Sequence, residues 1–308
     1  MTTSRRTSRF GPSTAIVLLA LSLLAAACSG IEAAPAPSTT TTMAPQAVPL
    51  LADGPGRYEA TVTSGDALRR FVLVVPERIL DPAPLLLVFH GFTGSPADVE
   101  EQTGFTELAE EHGFLVAYPE GEGRPRSWRA DPRRGDRDVE FVRDLVAAIS
   151  AEVLVDPGRV YAAGMSNGGA MAARLACDAS DVIAAVGTVA APYPLIDCED
   201  SRPVPLVAFH GTADLIVPYE GVEPLFPRVE DWLRGWADRP GCDPDTSVSR
   251  ITGDVTLTAW TGCRTDVALY TVLDGRHGWP GPREKSWWGS TTDSADASEV
   301  IWQFLAGR

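Results

Sequence analysis

Histidine is scarce in this 308-residue chain, with four copies, and no two lie close enough in sequence to form a metal-ligand pair. Cysteine is nearly as scarce, at five, and no C-x-x-C spacing occurs. Both shortages argue against a bound structural metal. Positive charge is also short: 26 Lys and Arg stand against 41 Asp and Glu, for a net charge of −15. A surface of that sign repels nucleic-acid phosphates and anionic lipid headgroups, so no nucleic-acid partner is expected. The apolar run Ala15 to Leu24 is too short to span a membrane comfortably. There is no internal repeat and no second Pro/Ser/Thr-rich linker, so one globular domain is expected.

Apolar content of 44% and charged content of 22% are ordinary for a folded soluble domain. The N-terminus has a character of its own. Arg5, Arg6 and Arg9 precede the apolar run, and Ala25-Ala26-Ala27 closes it before Cys28. Residues 1–27 therefore read as an export signal. Cys28-Ser29-Gly30 resembles a bacterial lipoprotein processing site, with Ala25 where that pattern prefers leucine; the simpler alternative is cleavage and release. Loss of residues 1–27 removes three arginines and no acid, which takes the charge from −15 to −18. Residues 28–54 are rich in Pro, Thr and Ala without apolar periodicity, as in an extended tether. Residues 55–308 form the expected globular domain. The expected location is the outer side of the cell membrane, with contact to it only through the lipid, or free secretion.

Within that domain, short apolar runs alternate with helical patterns. The runs at 71–76, 85–90, 114–119, 160–164, 184–190, 205–210 and 267–273 suit strands buried on both faces of a parallel sheet. Helices are expected over 97–112, 138–153, 167–177, 229–237 and 296–306. This alternation implies an α/β fold, a mostly parallel central sheet with helices on both faces. In such sheets reactive groups gather just beyond the carboxyl ends of the strands.

Gly164-Met165-Ser166-Asn167-Gly168 fits G-x-S-x-G, between the run 160–164 and a helical stretch. That context turns a weak motif into a nucleophile elbow at Ser166, the bland alternative being a serine at a helix start. A serine hydroxyl needs a base, and histidine is the usual one. His112 falls in a helical stretch, and His90 and His210 each begin a His-Gly pair after a strand, where they are expected to hold loops. His277 follows the run 267–273 and is the expected base. Asp214, four residues after His210, is the expected acid. Asp243, Asp245, Asp254 and Asp266 follow no convincing buried strand. The developing oxyanion needs two backbone N–H donors. Asn167 would supply one, and Phe92 or, next, Thr93 the other, from His90-Gly91-Phe92-Thr93-Gly94-Ser95.

Four cysteines beyond Cys28 allow three disulfide connectivities, and sequence neighbours favour Cys177–Cys198 and Cys242–Cys263. Among the aromatics, Trp128 and Trp279 lie in loops and are candidate pocket walls, Trp279 two residues from His277. Trp287 and Trp288 are read as packing loops, and Trp232, Trp236 and Trp302 as core.

The stretches "LVFHGFTG", "VDPGRVYAAGMSNGGAMAARLAC", "VPLVAFHGTADLIVPYEG" and "GRHGWPG…DASEVIWQFL" together resemble the polyhydroxybutyrate depolymerase/feruloyl esterase-like family of secreted α/β-hydrolases. The resemblance spans about residues 68–306. It implies the α/β-hydrolase fold, the triad Ser166, Asp214 and His277, and the two disulfides named above. It implies a serine carboxylester hydrolase acting through an acyl-enzyme on small or polymer-linked esters, of feruloyl, acetyl or hydroxyalkanoate type, with no cofactor or metal. Where the family often has Asp-Asp-Val before a helix, this chain has "GDRDVEFV", and Asp138 is read as a helix cap. The separate polymer- or carbohydrate-binding domain of some members is not in the sequence, which weakens crystalline polymer as a substrate. Three rivals share features: a cell-envelope acyltransferase and a serine peptidase, both using the same triad, and a non-catalytic binding lipoprotein.

Overall fold

The computed structural model describes residues 54–191, 198, 201–283 and 291–308, all within one compact unit, Met43–Arg308. The expected export signal, the tether up to residue 53 and Cys28 lie outside the described residues, as do Trp287 and Trp288.

Among the described residues, ten strands make one sheet. They are β1 Gly56–Ser64, β2 Ala67–Val75, β3 Ala83–Phe89, β4 Leu115–Pro119, β5 Val155–Met165, β6 Ala185–Val189, β7 Leu206–Gly211, β8 Thr246–Arg250, β9 Val255–Trp260 and β10 Val267–Val272. Their order is β1-β2-β4-β3-β5-β6-β7-β10-β9-β8. The run from β4 to β10 is parallel. Antiparallel ribbons close both edges, β1–β2 at one and β9–β8 at the other. β3 and β4 are buried along their whole lengths because helices cover both faces, and a strand with no solvent side has no place for alternating polar residues. β1 and β8 belong to the edges and are mostly exposed or half-buried, so neither reads as an apolar run. β9, inside β8, is half-buried along its middle and carries threonines at alternate positions, so none of the three strands is among those expected.

Among the described residues, six α-helices flank the sheet: α1 Pro96–Thr103, α2 Phe105–His112, α3 Arg137–Glu152, α4 Asn167–Asp178, α5 Val229–Asp238 and α6 Ala297–Ala306. The single helix expected over 97–112 is two. Gly104 takes a left-handed conformation at φ 64° and returns its N–H to Glu100 O, which ends α1 and redirects the chain into α2. Side-chain alternation along the strands divides the core in two. Phe71 and Leu73 join Phe141 of α3, Met171 of α4 and Trp232 and Trp236 of α5 on one face. Val72 and Val74 join Val99 of α1, Phe105 of α2 and Ile301 and Trp302 of α6 on the other. Each of these large side chains contributes roughly 1.5–3 kcal/mol by leaving water.

Both disulfides join the favoured partners, Cys177–Cys198 and Cys242–Cys263, each across 21 residues. Loops of that length stabilise by about 3 kcal/mol through the entropy taken from the unfolded chain. The first ties the end of α4 to the segment before β7. The second ties the segment after α5 to the β9–β10 connection.

Asp138 departs from expectation. The residue before α3 is Asp136, and Asp138 lies two residues further on, within the first turn and fully buried. Its carboxylate accepts from Arg69 Nη2 at 2.9 Å and from the Arg129 amide at 2.7 Å. Arg69 is itself buried on β2, and a guanidinium out of water needs a partner charge. Asp138 is that partner, and it ties β2, α3 and the segment after β4 together.

Candidate active site

Ser166 stands between β5 and α4 with φ 54° and ψ −123°. Residues other than glycine occupy that region only where the surroundings force it, at a cost of about 1–3 kcal/mol. The surroundings here are backbone. The Ser166 amide donates to Val189 O at 2.8 Å, and its carbonyl accepts the Ala170 amide at 2.9 Å. A Cβ on Gly168 would lie 2.1 Å from Phe89 O, and one on Gly164 would lie 2.6 Å from the Gly168 carbonyl. The two glycines of the motif are needed because β3, β5 and the start of α4 meet in contact there. The result lifts Ser166 above the carboxyl end of the sheet.

Asp214 and His277 follow β7 and β10, which are parallel neighbours with His210 opposite Thr271. That adjacency is what brings residues 63 apart in sequence into contact: His277 Nδ1 lies 2.8 Å from Asp214 Oδ2. The other carboxylate oxygen accepts the Ile216 and Val217 amides, both at 2.9 Å. Burial raises the Asp214 carboxyl, but the His277 hydrogen bond and charge, with the Val217 amide, reverse this and leave it below the usual range. Asp214 is therefore ionised, and His277 donates from Nδ1, which leaves Nε2 as the basic nitrogen.

His210 and His90 hold loops, as expected. His210 Nε2 lies 2.8 Å from Val217 O and 3.5 Å from Asp214 Oδ2. A carbonyl only accepts, so the proton sits on Nε2. His90 donates from Nδ1 to Gly91 O at 2.7 Å and accepts the Gly121 amide on Nε2 at 3.0 Å. Burial lowers both, His210 from 6.5 to about 4. A depressed imidazole refuses a proton that the unfolded chain accepts, so stability rises with pH between about 4 and 6.5. Acidification from pH 7 to 5 is expected to cost about 2 kcal/mol through His210, lowering Tm by roughly 4–8 °C, with His90 adding in the same direction. A melting temperature flat across that range would contradict the neutral assignment.

The segment around Trp128, the end of β3 and the start of α4 are locked by one residue. Asn167 accepts the Trp128 amide on Oδ1 at 2.6 Å and donates from Nδ2 to Trp128 O at 3.1 Å. Trp128 Nε1 in turn donates to His90 O at 3.0 Å. Thr93 is a correction: its amide donates to Arg126 O at 2.8 Å and is not free for an oxyanion. Among the described residues, the Phe92 and Asn167 amides have no such partner. The two tryptophans differ from expectation as well. Trp128 is fully buried beside Phe89, and Trp279, 2% exposed, packs on Phe105 and donates to Ser298 Oγ. They support the site from below; neither lines it.

Ser166 and His277 open into one cavity of about 700 Å³. Its apolar wall is Phe92, Val99, Met165 and Ile216, and its polar rim includes Asp98, Glu101, Gln102 and Arg283. None of these but Phe92 was expected from the sequence. Met165 and Ile216 could have been found from their places, one residue before Ser166 and two after Asp214. The α1 residues had no such signal.

Known proteins resemble this arrangement and its sequence. The family model described as esterase PHB depolymerase matches residues 68–192. The protein named "Putative esterase NocK" of Nocardia uniformis subsp. tsuyamanensis is 32% identical over 94% of this chain and 96% of its own. Feruloyl esterase B of Piromyces equi is 30% identical over 63% of this chain, which spans only 39% of that protein. Acetyl xylan esterase from Aspergillus awamori shares the α/β-hydrolase fold, with a TM-score of 0.64 over 82% of this chain and all of its own at 14% identity. Similarity along nearly the full length of an esterase, with the family model over the elbow, places this chain in the PHB depolymerase esterase family, as an esterase of the serine-hydrolase type.

Proposed function

We propose that the protein is an exported, lipid-anchored serine carboxylester hydrolase that works through an acyl-enzyme. The observation that carries the proposal is the strained Ser166 sharing a cavity with His277, whose Nδ1 is bound to Asp214. Ser166 Oγ attacks the ester carbonyl carbon as His277 Nε2 takes its proton. The Asn167 and Phe92 amides receive the oxyanion, Asn167 with the help of the α4 dipole. The tetrahedral adduct collapses, the C–O bond to the alcohol breaks, and His277 returns the proton to the departing alkoxide. Water, deprotonated by the same imidazole, then attacks the acyl-enzyme and releases the acid and Ser166.

The apolar wall suits an acyl or alcohol group of modest size, as in the feruloyl, acetyl and hydroxyalkanoate esters named for the relatives. Residues 1–27 would direct export, and lipidated Cys28 would hold the enzyme at the outer membrane surface on its tether. The test is hydrolysis of 4-nitrophenyl acetate, butyrate and octanoate by the full chain, with a pre-steady-state burst and mass analysis of the trapped acyl-enzyme. Turnover with the acyl group on the Ser166 peptide is expected, and the chain-length profile sizes the pocket. A folded protein with no turnover and no adduct would refute the proposal. Methanol added as an acceptor separates hydrolysis from acyl transfer by the products.

A further inference from the structure

The reactive cavity does not end at the oxyanion loop. Two more cavities, of about 580 and 340 Å³, lie along the segment 120–129. Thr93 borders the first of them as well as the reactive cavity, and Phe92 does the same for the second. A substrate that reaches past its reacting ester on that side enters them.

Their walls run against the charge of the chain. Arg69, Arg70, Arg124, Arg126, Arg129 and Arg134 line the two, against the carboxylates of Glu120, Glu122 and Asp138. The chain as a whole carries −15. The reactive cavity has the opposite bias, with Asp98 and Glu101 against Arg283. The three groove acids are stretched across more arginines than they can neutralise. Glu120 lies 3.7 Å from Arg70 and 3.8 Å from Arg126, and Glu122 lies 3.4 Å from Arg129 and 3.8 Å from Arg69. Arg124 borders both cavities and makes no ion pair among the described residues, and Arg134 has only the longer-range charge of Asp131, which is itself paired with Arg133 at 2.7 Å. Arg69, 3% exposed, keeps its Nη1 without a hydrogen-bond partner among the described residues.

We propose that this groove binds an anionic group, carboxylate or phosphate, on the part of the substrate next to the ester, and so selects acidic esters over neutral ones. The proposal rests on the esterase reading above and names the substrate class for it. Guanidinium forks match the paired oxygens of both anions. An anion is repelled by the Asp98 and Glu101 rim and drawn to the arginine side, so the charge gradient also orients the substrate across Ser166. A negative chain concentrates such substrates only where its field reverses sign, and this groove is such a place.

The test compares matched esters with the full chain. Phenyl butyrate is set against 4-carboxyphenyl and 4-phosphonophenyl butyrate for the alcohol half. For the acyl half, 4-nitrophenyl butyrate is set against the 4-nitrophenyl monoester of glutarate. At least one anionic ester is expected to gain about tenfold in kcat/KM over its neutral partner at low salt. That gain should fall toward unity at 0.5 M NaCl, where charges are screened within a few ångströms. The double variant Arg124→Ser/Arg134→Ser should lose the preference and keep its rate on the neutral esters within about twofold. The better of carboxylate and phosphonate identifies the anion. No preference on either half, or one that survives the double variant, overturns the proposal. If no ester is hydrolysed, calorimetric binding of glutarate and inorganic phosphate reads the groove alone. Binding lost in the double variant then supports the groove while the esterase reading fails, and no binding refutes both.

Discussion

Ser166→Ala is expected to lower kcat on 4-nitrophenyl butyrate by about 10⁶-fold, because the proposed mechanism puts the acyl group on the Ser166 hydroxyl. Alanine keeps the Cβ that the φ 54° conformation already tolerates, and the Ser166 amide and carbonyl keep their bonds to Val189 and Ala170. Melting temperature should therefore change by less than about 2 °C, since only a small surface hydroxyl is lost. KM should stay within a fewfold, because the cavity walls are intact. Residual activity above about one part in a thousand, in protein free of wild type, would mean that a different nucleophile reacts.

Asp214→Asn is the second large effect, about 10⁴-fold in kcat, and its cause lies in hydrogen-bond polarity. One carboxylate oxygen accepts the Ile216 and Val217 amides, and those donors will hold the asparagine oxygen on their side. The amide NH₂ is then forced toward His277 Nδ1, at the place where Oδ2 now accepts at 2.8 Å. An NH₂ donor there makes Nδ1 an acceptor and puts the imidazole proton on Nε2. The nitrogen that should take the Ser166 proton already has one. The variant should fold and bind substrate yet fail at proton transfer, so KM moves little while kcat collapses. Parallel losses in KM and Tm of similar size would point to a broken loop instead.

Much of this site is legible in the sequence, because parallel strands announce themselves. β3, β4 and β7, and β5 from Val160 on, are buried on both faces, so each appears as an apolar run whose end marks where a functional loop begins. Ser166, Asp214 and His277 all stand at such ends, and their order along the chain does the rest. The edge strands carry no comparable mark, since β8 shows most of its residues to water. Asp138 misleads for a different reason. Its place in the first turn of α3 explains an acid locally, while its partner, Arg69, lies 69 residues away on β2. Trp128 and Trp279 sit in loops that fold back beneath the site, and sequence position alone cannot tell a loop that covers from one that is covered. Thr93 has a free amide on paper until the segment after β4 places the Arg126 carbonyl beside it.

That segment has a practical consequence for anyone redesigning the enzyme. Surface loops are commonly exchanged between relatives as interchangeable parts, on the assumption that only their ends matter. Residues 120–129 are fastened along their middle, by His90 at Gly121, by Thr93 at Arg126 and by both sides of the Asn167 amide at Trp128. A graft there would arrive without its rivets, and the loop before α1 and the first turn of α4 would loosen with it. The loop around Val222–Phe226, closed by its own bridge, takes no part in those fastenings and can be exchanged without loosening them.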